Sequence, residues 1–309
     1  MVVLSEFVDT FGQHLLSQFG ERVHKVAIDA GFTCPNRDGR SGRGGCTFCN
    51  NKSFQPQVRM PTIADQVRAG MACVVRRTGA RKVLAYFQTY TNTYAPLDTL
   101  VSRYEEALSV PGVVGLSVGT RPDCLSEPIV AQLASYRDRG YTVWIELGLQ
   151  SSFDETLLRV NRGHGFAEYR EAIALVRRYK LPVCTHLIIG LPGEGRNHAL
   201  ETLTRVLSLG VAGLKVHPLH VVRGSRLAHD WRRGQLTLVS FEDYIAIVTD
   251  LIERTPRHII FHRLTGTARA ALLLAPEWCS GKWRVLNAIA AEFAKRGTSQ
   301  GVLAQAKAL

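Results

Sequence analysis

Cys34, Cys46 and Cys49 stand in one glycine-rich segment, residues 31–50 (GFTCPNRDGRSGRGGCTFCN), spaced C-x11-C-x2-C. Three thiolates from a single loop can ligate three irons of a four-iron cubane and leave the fourth iron open, which is the ligation that iron–sulfur clusters require. Gly39, Gly42, Gly44 and Gly45 let the backbone wrap closely where side chains would obstruct it. Their N–H groups can also donate to the sulfides. The competing chemistry is a structural zinc site completed by a nearby ligand such as His24. Structural zinc takes four closed tetrahedral ligands, commonly as two short-spaced pairs, and this loop holds one pair and no fourth ligand. The other cysteines, Cys73, Cys124, Cys184 and Cys279, are scattered, and seven is an odd number. That distribution argues for metal binding or catalysis by the cluster of three rather than a disulfide framework.

The elements that must position this loop follow from periodicity. Candidate strands are 24–29 (HKVAID), 82–88 (KVLAYFQ), 113–118 (VVGLSV), 142–147 (TVWIEL), 183–189 (VCTHLII) and 213–217 (GLKVH). Candidate helices start near Ile63, Leu97, Ser126, Phe166 and Arg196. Strands separated by helical stretches predict βαβ units and a parallel sheet, either doubly wound or a partial TIM-like barrel. Residues 1–23 read as an N-terminal amphipathic segment and 24–225 as the core. Residues 226–309 read as a C-terminal extension covering the sheet, with helices near 241–253 and 282–296 around an apolar stretch, 258–264 (HIIFHRL).

On this sketch the unusual polar residues fall at one end of the sheet. Cys34 follows the first strand and Gln88 ends the second. Thr120, Arg121 and Asp123 follow the third, Glu146 and Gln150 end the fourth, 190–194 follows the fifth, and His217 and His220 end the sixth. Parallel barrels carry their active sites at such C-terminal strand ends. Cys124 lies close by and is either a thiol participant or a small buried residue. Cys279, His217, His220 and His262 have no assigned role.

The chain has 309 residues, is 46% hydrophobic and carries a net charge of +12 with pI ≈ 9.6. A balance this basic favours a polyanion partner; the basic segments are 76–82 (RRTGARK), 177–180 (RRYK) and 231–233 (WRR). No apolar stretch is long enough to cross a bilayer, and the N-terminus lacks a signal-peptide pattern. The expected location is the cytoplasm, with no membrane partner.

Across about 24–301 the sequence resembles the radical S-adenosylmethionine (SAM) superfamily, in the long-spaced form of the YhcC/YtqA family and, with different spacing, the elongator catalytic subunit. The motifs that carry the resemblance are CPNRDG, GGCTFCN, GTRPDC, ELGLQS, NRGH, GLPGE, HPLH, HR near position 262, and APEWC. It implies an α/β fold, a partial (β/α)6 TIM-like barrel. It also implies a [4Fe–4S] cluster on Cys34, Cys46 and Cys49 whose open iron chelates SAM. One electron then yields methionine and a 5′-deoxyadenosyl radical. By the same resemblance Arg162 binds the SAM carboxylate, Glu146 its ribose or amino group, and Gln150 SAM. Phe48 packs on adenine, and the backbone of 188–190, with Ile188 and Gly190, reaches adenine. Gln88 opens QTYTNTY, where related proteins carry a GGE-like motif from which this sequence departs. The implied partners are tRNA and a low-potential electron donor such as flavodoxin or ferredoxin. The implied chemistry is on the wobble-uridine side chain, in one version removal of the carboxymethyl group of 5-carboxymethylaminomethyluridine. A radical SAM enzyme acting on a small molecule such as a porphyrinogen, and a noncatalytic zinc-stabilised RNA-binding module, are the alternatives.

Overall fold

Strands that are apolar on both faces must be covered on both faces, which in a parallel sheet is done by crossover helices. The computed structural model, which describes residues 3–50 and 60–304, builds such a sheet. After α1 (Phe11–Phe19) come β1 (Val23–Ile28), a one-turn α2 (Pro35–Asp38), α3 (Ile63–Thr78), β2 (Lys82–Phe87), α4 (Leu97–Leu108) and β3 (Val113–Thr120). The chain continues through α5 (Glu127–Asp138), β4 (Thr142–Gln150), α6 (Asp154–Arg159), α7 (Phe166–Arg178), β5 (Val183–Ile189), α8 (Arg196–Ser208) and β6 (Gly213–Pro218). Then follow β7 (Val221–Val222), α9 (Leu227–Arg232), α10 (Phe241–Glu253), β8 (Ile260–Arg263), β9 (Leu273–Ala275) and α11 (Lys282–Arg296). The seven-stranded sheet has the order β1-β2-β3-β4-β5-β6-β8, every pair parallel.

The first six strands are those the sequence predicts, several of them longer at the C-terminal end. The seventh, β8, comes from the apolar stretch read as part of the covering extension. A short apolar run has no period of its own, so a sheet strand and a packed loop look alike in sequence. Here α10 supplies the crossover that brings the run back parallel to β6.

The sheet curls into an incomplete barrel. Lys25 Nζ on β1 lies 3.1 Å from His262 Nδ1 on β8, so interior side chains of the first and last strands meet. Inside, the side chains form two tiers. The lower is apolar: Val23, Leu84, Trp144 and Cys184 pack with Phe11 and Leu15 of α1, which stoppers that end. Phe11 stacks on His262 at 3.9 Å between centroids and meets Trp144 edge-on at 5.4 Å. The upper tier is polar and leads to the cysteine loop. Gln300 fastens the seam from outside. Its Oε1 accepts from Asp9 N–H at 2.8 Å, its Nε2 donates to Pro256 and Ile259 carbonyls, and its own N–H donates to Phe7 O.

Candidate active site

The polar tier centres on Glu146, which is fully buried in the middle of β4 rather than at its end. Its Oε1 accepts from Lys25 Nζ and from Ser117 Oγ at 2.6 Å. Its Oε2 accepts from Tyr86 OH at 3.0 Å and Lys215 Nζ at 3.0 Å, and pairs with His186 Nε2 at 2.6 Å. Lys215 Nζ also donates to Tyr86 OH at 2.6 Å. Burial would push this carboxyl up; Lys215 and Lys25, with hydrogen bonds from His186 and His262, overcome it and hold the group well below the usual carboxylate range. Burial pushes Lys215 down to about 8, against the pull of Glu146 and with Arg263 and Lys25 adding to the shift. The carboxylate is thus ionised, and its charge is met by two ammonium groups. Glu146, Cys184 and His186 are the described residues whose potential ligand atoms converge within 4.8 Å. Lys25 and Lys215 already hold the carboxylate that a cation would need, so this group is no metal centre.

Above the tier opens a cavity of about 200 Å³. It is lined by Cys34, Cys46, Cys49 and Phe48 from the loop after β1, and by Gln88, Gln150, Arg162, Ile188 and His217 from the strand ends and the NRGH turn. Glu146 is its floor. Gly190 is not brought here: it lines a second depression with Glu194 and Val239 on the outer side of the β5–α8 turn. Cys124 is also outside the lining; burial, with Asp123 adding, pushes its thiol up to about 12. Cys279 is fully buried beside the core, and burial pushes its thiol up to about 12. His220 joins His217 in the lining, whereas His262 lies below, among Phe11, Trp144 and Lys25.

Three of the sequence segments have a mechanical reason. In NRGH, Asn161 Nδ2 donates to the Arg43 and Gly45 carbonyls at 3.1 and 2.8 Å, holding the cysteine loop. Arg162 NH1 lies 3.4 Å from Cys46 Sγ. Gly163, at φ 72°, leaves room for Asn36: a Cβ there would stand 2.7 Å from Asn36 Oδ1. Asn36 Nδ2 in turn faces Cys46 Sγ at 3.6 Å and donates to Asn161 O at 2.6 Å. In GTRPDC, Arg121 pairs with Asp123 at 2.7 Å and donates to Arg162 O at 2.7 Å, fixing the arginine next to the sulfur. In QTYTNTY, Thr91 N–H donates to Thr33 O, and Asn92 Nδ2 ties the Phe87 and Gly119 carbonyls together. These three loops are one scaffold around the cysteines.

The donor set suits an iron–sulfur cluster. Cys46 Sγ faces an amide at 3.6 Å and a guanidinium at 3.4 Å, donors suited to a metal-bound sulfur. Burial pushes Cys49 up to about 11, with Cys46 adding and Arg37 opposing; a bound cation supplies what such thiols need to ionise. Buried Gln150 Oε1, Arg162 Nε and Thr89 Oγ1 have no partner. In a native site such orphans are explained by a bound group.

The floor was missed in sequence except for Glu146. Tyr86, His186 and Lys215 sit inside strand runs, and their signal was period-two register with recognised neighbours: Tyr86 with Gln88, His186 with Ile188, Lys215 with His217. The basic segments 76–82 and 177–180 lie where α3 and α7 run into β2 and β5, at the opposite end of the barrel from the cavity. Of the three, only 231–233 shares the cysteine side, on α9, where Leu227 N–H donates to Thr47 O at 2.9 Å.

Residues 36–206 match the Radical SAM superfamily, and 211–295 match the Radical_SAM C-terminal domain. The chain belongs to the radical SAM superfamily. It is 48% identical to Protein YhcC of Escherichia coli K12 over 91% of this chain and 90% of that protein. It is 40% identical to YtqA of Bacillus subtilis over 94% and 91% of the two chains. A more distant relative, at 28% identity over 52% of this chain and 35% of its own length, is the tRNA uridine(34) acetyltransferase of Dehalococcoides mccartyi. The curled sheet is also that of Elp3 from Methanocaldococcus infernus (TM-score 0.68, 19% identity, 90% of this chain and 64% of that one). Radical SAM enzymes use a [4Fe–4S] cluster and SAM, and this chain is such an enzyme. Among the described residues no helix is long and apolar enough to cross a membrane.

Proposed function

We propose that this radical SAM enzyme modifies the side chain of a wobble uridine in tRNA. The observation that carries this reading is the rim of the cavity. Arg37 lines it and is exposed, as are Arg40 and Arg43 of the same loop, with Arg37 over the Tyr90 ring at 5.9 Å and Arg40 over Tyr94 at 5.7 Å. Exposed Arg223 is tied to the end of the same loop, since Asn50 Nδ2 donates to Arg223 O at 2.6 Å, and Arg226, also exposed, follows it in the chain. Guanidinium groups neutralise phosphates, and rings with stacked guanidinium planes receive unstacked bases. An anticodon loop already presents its bases single-stranded, so little unstacking is needed to offer one to a recessed cavity. The name of the distant acetyltransferase points to the same nucleotide, uridine 34.

In this reading Cys34, Cys46 and Cys49 ligate the cluster and Arg162 and Asn36 steady Cys46. A cluster held by these residues would supply the one-electron reduction of SAM on which the radical chemistry depends. Arg162, Gln150 and Gln88 hold the polar end of SAM, while Ile188 and Phe48 face its adenine. Gly190, outside the cavity, acts by shaping the turn that follows Ile188. Glu146 acts from below by fixing Lys215 and Tyr86. A low-potential donor such as flavodoxin or ferredoxin supplies the electron. The finer version of the reaction is removal of the carboxymethyl group from 5-carboxymethylaminomethyluridine.

The test is anaerobic incubation of the reconstituted enzyme with SAM, dithionite and hypomodified tRNA, followed by nucleoside mass spectrometry. The expected result is tRNA-stimulated formation of 5′-deoxyadenosine with loss of one uridine derivative. SAM cleavage that no tRNA stimulates, with unchanged nucleosides, would leave a small-molecule substrate instead.

A further inference from the structure

On the β6–β8 side the cavity wall carries two cationic side chains, Lys215 and Arg263, beside two histidines. Lys215, His217, His220 and Arg263 line it, and Glu146, the one carboxylate among the lining residues, is already matched by Lys25 and Lys215. Arg263 is placed there by a break in register. Gly213 pairs with Ile260 and Leu214 with Phe261, but Lys215 pairs with Arg263, so His262 is an extra residue in β8. In an unbroken strand Arg263 would share the side of Phe261, which is buried in the outer core under the helices. The bulge puts it on the cavity side, in register with Lys215, where it lines the wall and stays solvent-exposed, as bulges beside active sites re-aim a side chain. Among the described residues no carboxylate pairs with it. The next segment is fixed against the wall: a Cβ on Gly266 would stand 2.8 Å from His217 Cβ.

We infer that Arg263 is the receptor for a carboxylate carried by the substrate's reacting side chain. The inference rests on the tRNA reading. A base enters the cavity while its phosphates stay on the rim, so an anion that reaches the level of Lys215 belongs to the base's own substituent. A guanidinium fork takes a carboxylate through two parallel hydrogen bonds. Burial, with His220, His186 and Lys215 adding, holds His217 well below its ordinary value, so it stands by as a neutral partner. Burial likewise lowers His220. An anion here would also relieve the mutual repulsion of Arg263 and Lys215.

The experiment compares anticodon stem-loop RNAs carrying 5-carboxymethylaminomethyluridine or its neutral carboxamide, by calorimetry, on the cluster-loaded wild type and on Arg263→Gln and Arg263→Lys. Iron and sulfide content verify that each variant has folded. Wild type should prefer the carboxylate by about 10- to 100-fold, the range of one hydrogen-bonded charge pair. Arg263→Gln should abolish that preference and Arg263→Lys retain part of it. A second arm needs no RNA: phenylglyoxal modification of Arg263, mapped by peptide mass, in the presence of succinate or succinamide. Protection by succinate alone supports the receptor even if neither RNA binds, in which case the tRNA reading fails and the anion site stands. A preference that survives in Arg263→Gln, or equal modification with both small molecules, overturns the inference.

Discussion

At the scale of single residues, the site divides sulfur atoms by address. Cys34, Cys46 and Cys49 line the cavity, whereas Cys184 lies under Glu146 in the apolar tier and Cys124 and Cys279 are outside. Replacing any of the first three by Ala should abolish the visible absorbance of the reconstituted protein, and Cys124→Ala or Cys279→Ala should keep it. Full iron and sulfide in Cys46→Ala would exclude that ligand. Acid sensitivity should also trace to named groups. Burial and Lys215 push His186 down to about 4, and burial and Lys25 push His262 down to about 3, although Glu146 opposes both. From their ordinary value of 6.5 downward, the unfolded chain binds protons that the folded chain refuses. Their contribution is therefore complete above about pH 6.5 and is lost as pH falls through these values. Glu146, whose carboxyl is depressed, loses stability in the same direction below its ordinary 4.5. Denaturant midpoints should decline from pH 6.5 to 4, and His186→Gln should flatten the decline. An unchanged slope in that variant would place the sensitivity elsewhere.

Among the elements, α1 has the least obvious duty in sequence and a clear one in structure. Its amphipathic pattern announces a packed helix, yet nothing local says that Phe11 enters the barrel and stacks on His262. Phe11→Ala should cost about 3–5 kcal/mol, the usual loss for a buried aromatic, and should expose Trp144 to acrylamide quenching. Unaltered quenching would mean the stopper is dispensable. The first six strands were legible because each is a β-branched run bounded by turns, and the cysteine loop because its spacing is chemical. Phe48, Gln88, Gln150, Arg162 and Ile188, named through the resemblance, line one cavity with the three cysteines. Glu146 was recognised as unusual but set too high, since β4 runs to Gln150 and the carboxylate is four residues below. Lys215 escaped notice, and Arg263 stood only as part of the HR motif near 262 with no role given to it, for two reasons. A lysine in an apolar strand is explained only by a carboxylate across the barrel, and the direction of Arg263 depends on a one-residue bulge that pairing, not sequence, creates.

For the whole molecule, the basic charge is distributed but its ends are not equivalent. Strands and helices alternate in direction, so 76–82 and 177–180 are carried to the end remote from the cavity, while the arginines of the cysteine loop and of 223–233 stay near it. Neutralising Arg37, Arg40 and Arg43 together should weaken tRNA binding and lower the slope of log affinity against log salt by about one for each phosphate no longer neutralised. Neutralising Arg76, Arg77 and Arg177 should leave that slope unchanged. Equal effects from both sets would mean that binding follows net charge alone. The seam bears on how the protein is made. Gln300 fastens Phe7 and Asp9 to the approach of β8, and Arg162 completes the surroundings of Cys46. A ribosome adding about 5–20 residues per second needs on the order of ten to fifty seconds to travel from Cys49 to Gln300. Through that interval the thiols exist without a closed barrel around them. Cluster delivery therefore belongs after Gln300 has emerged, and the timing of a scaffold that hands over iron and sulfide is set by the residue that fastens the seam rather than by the loop that receives them.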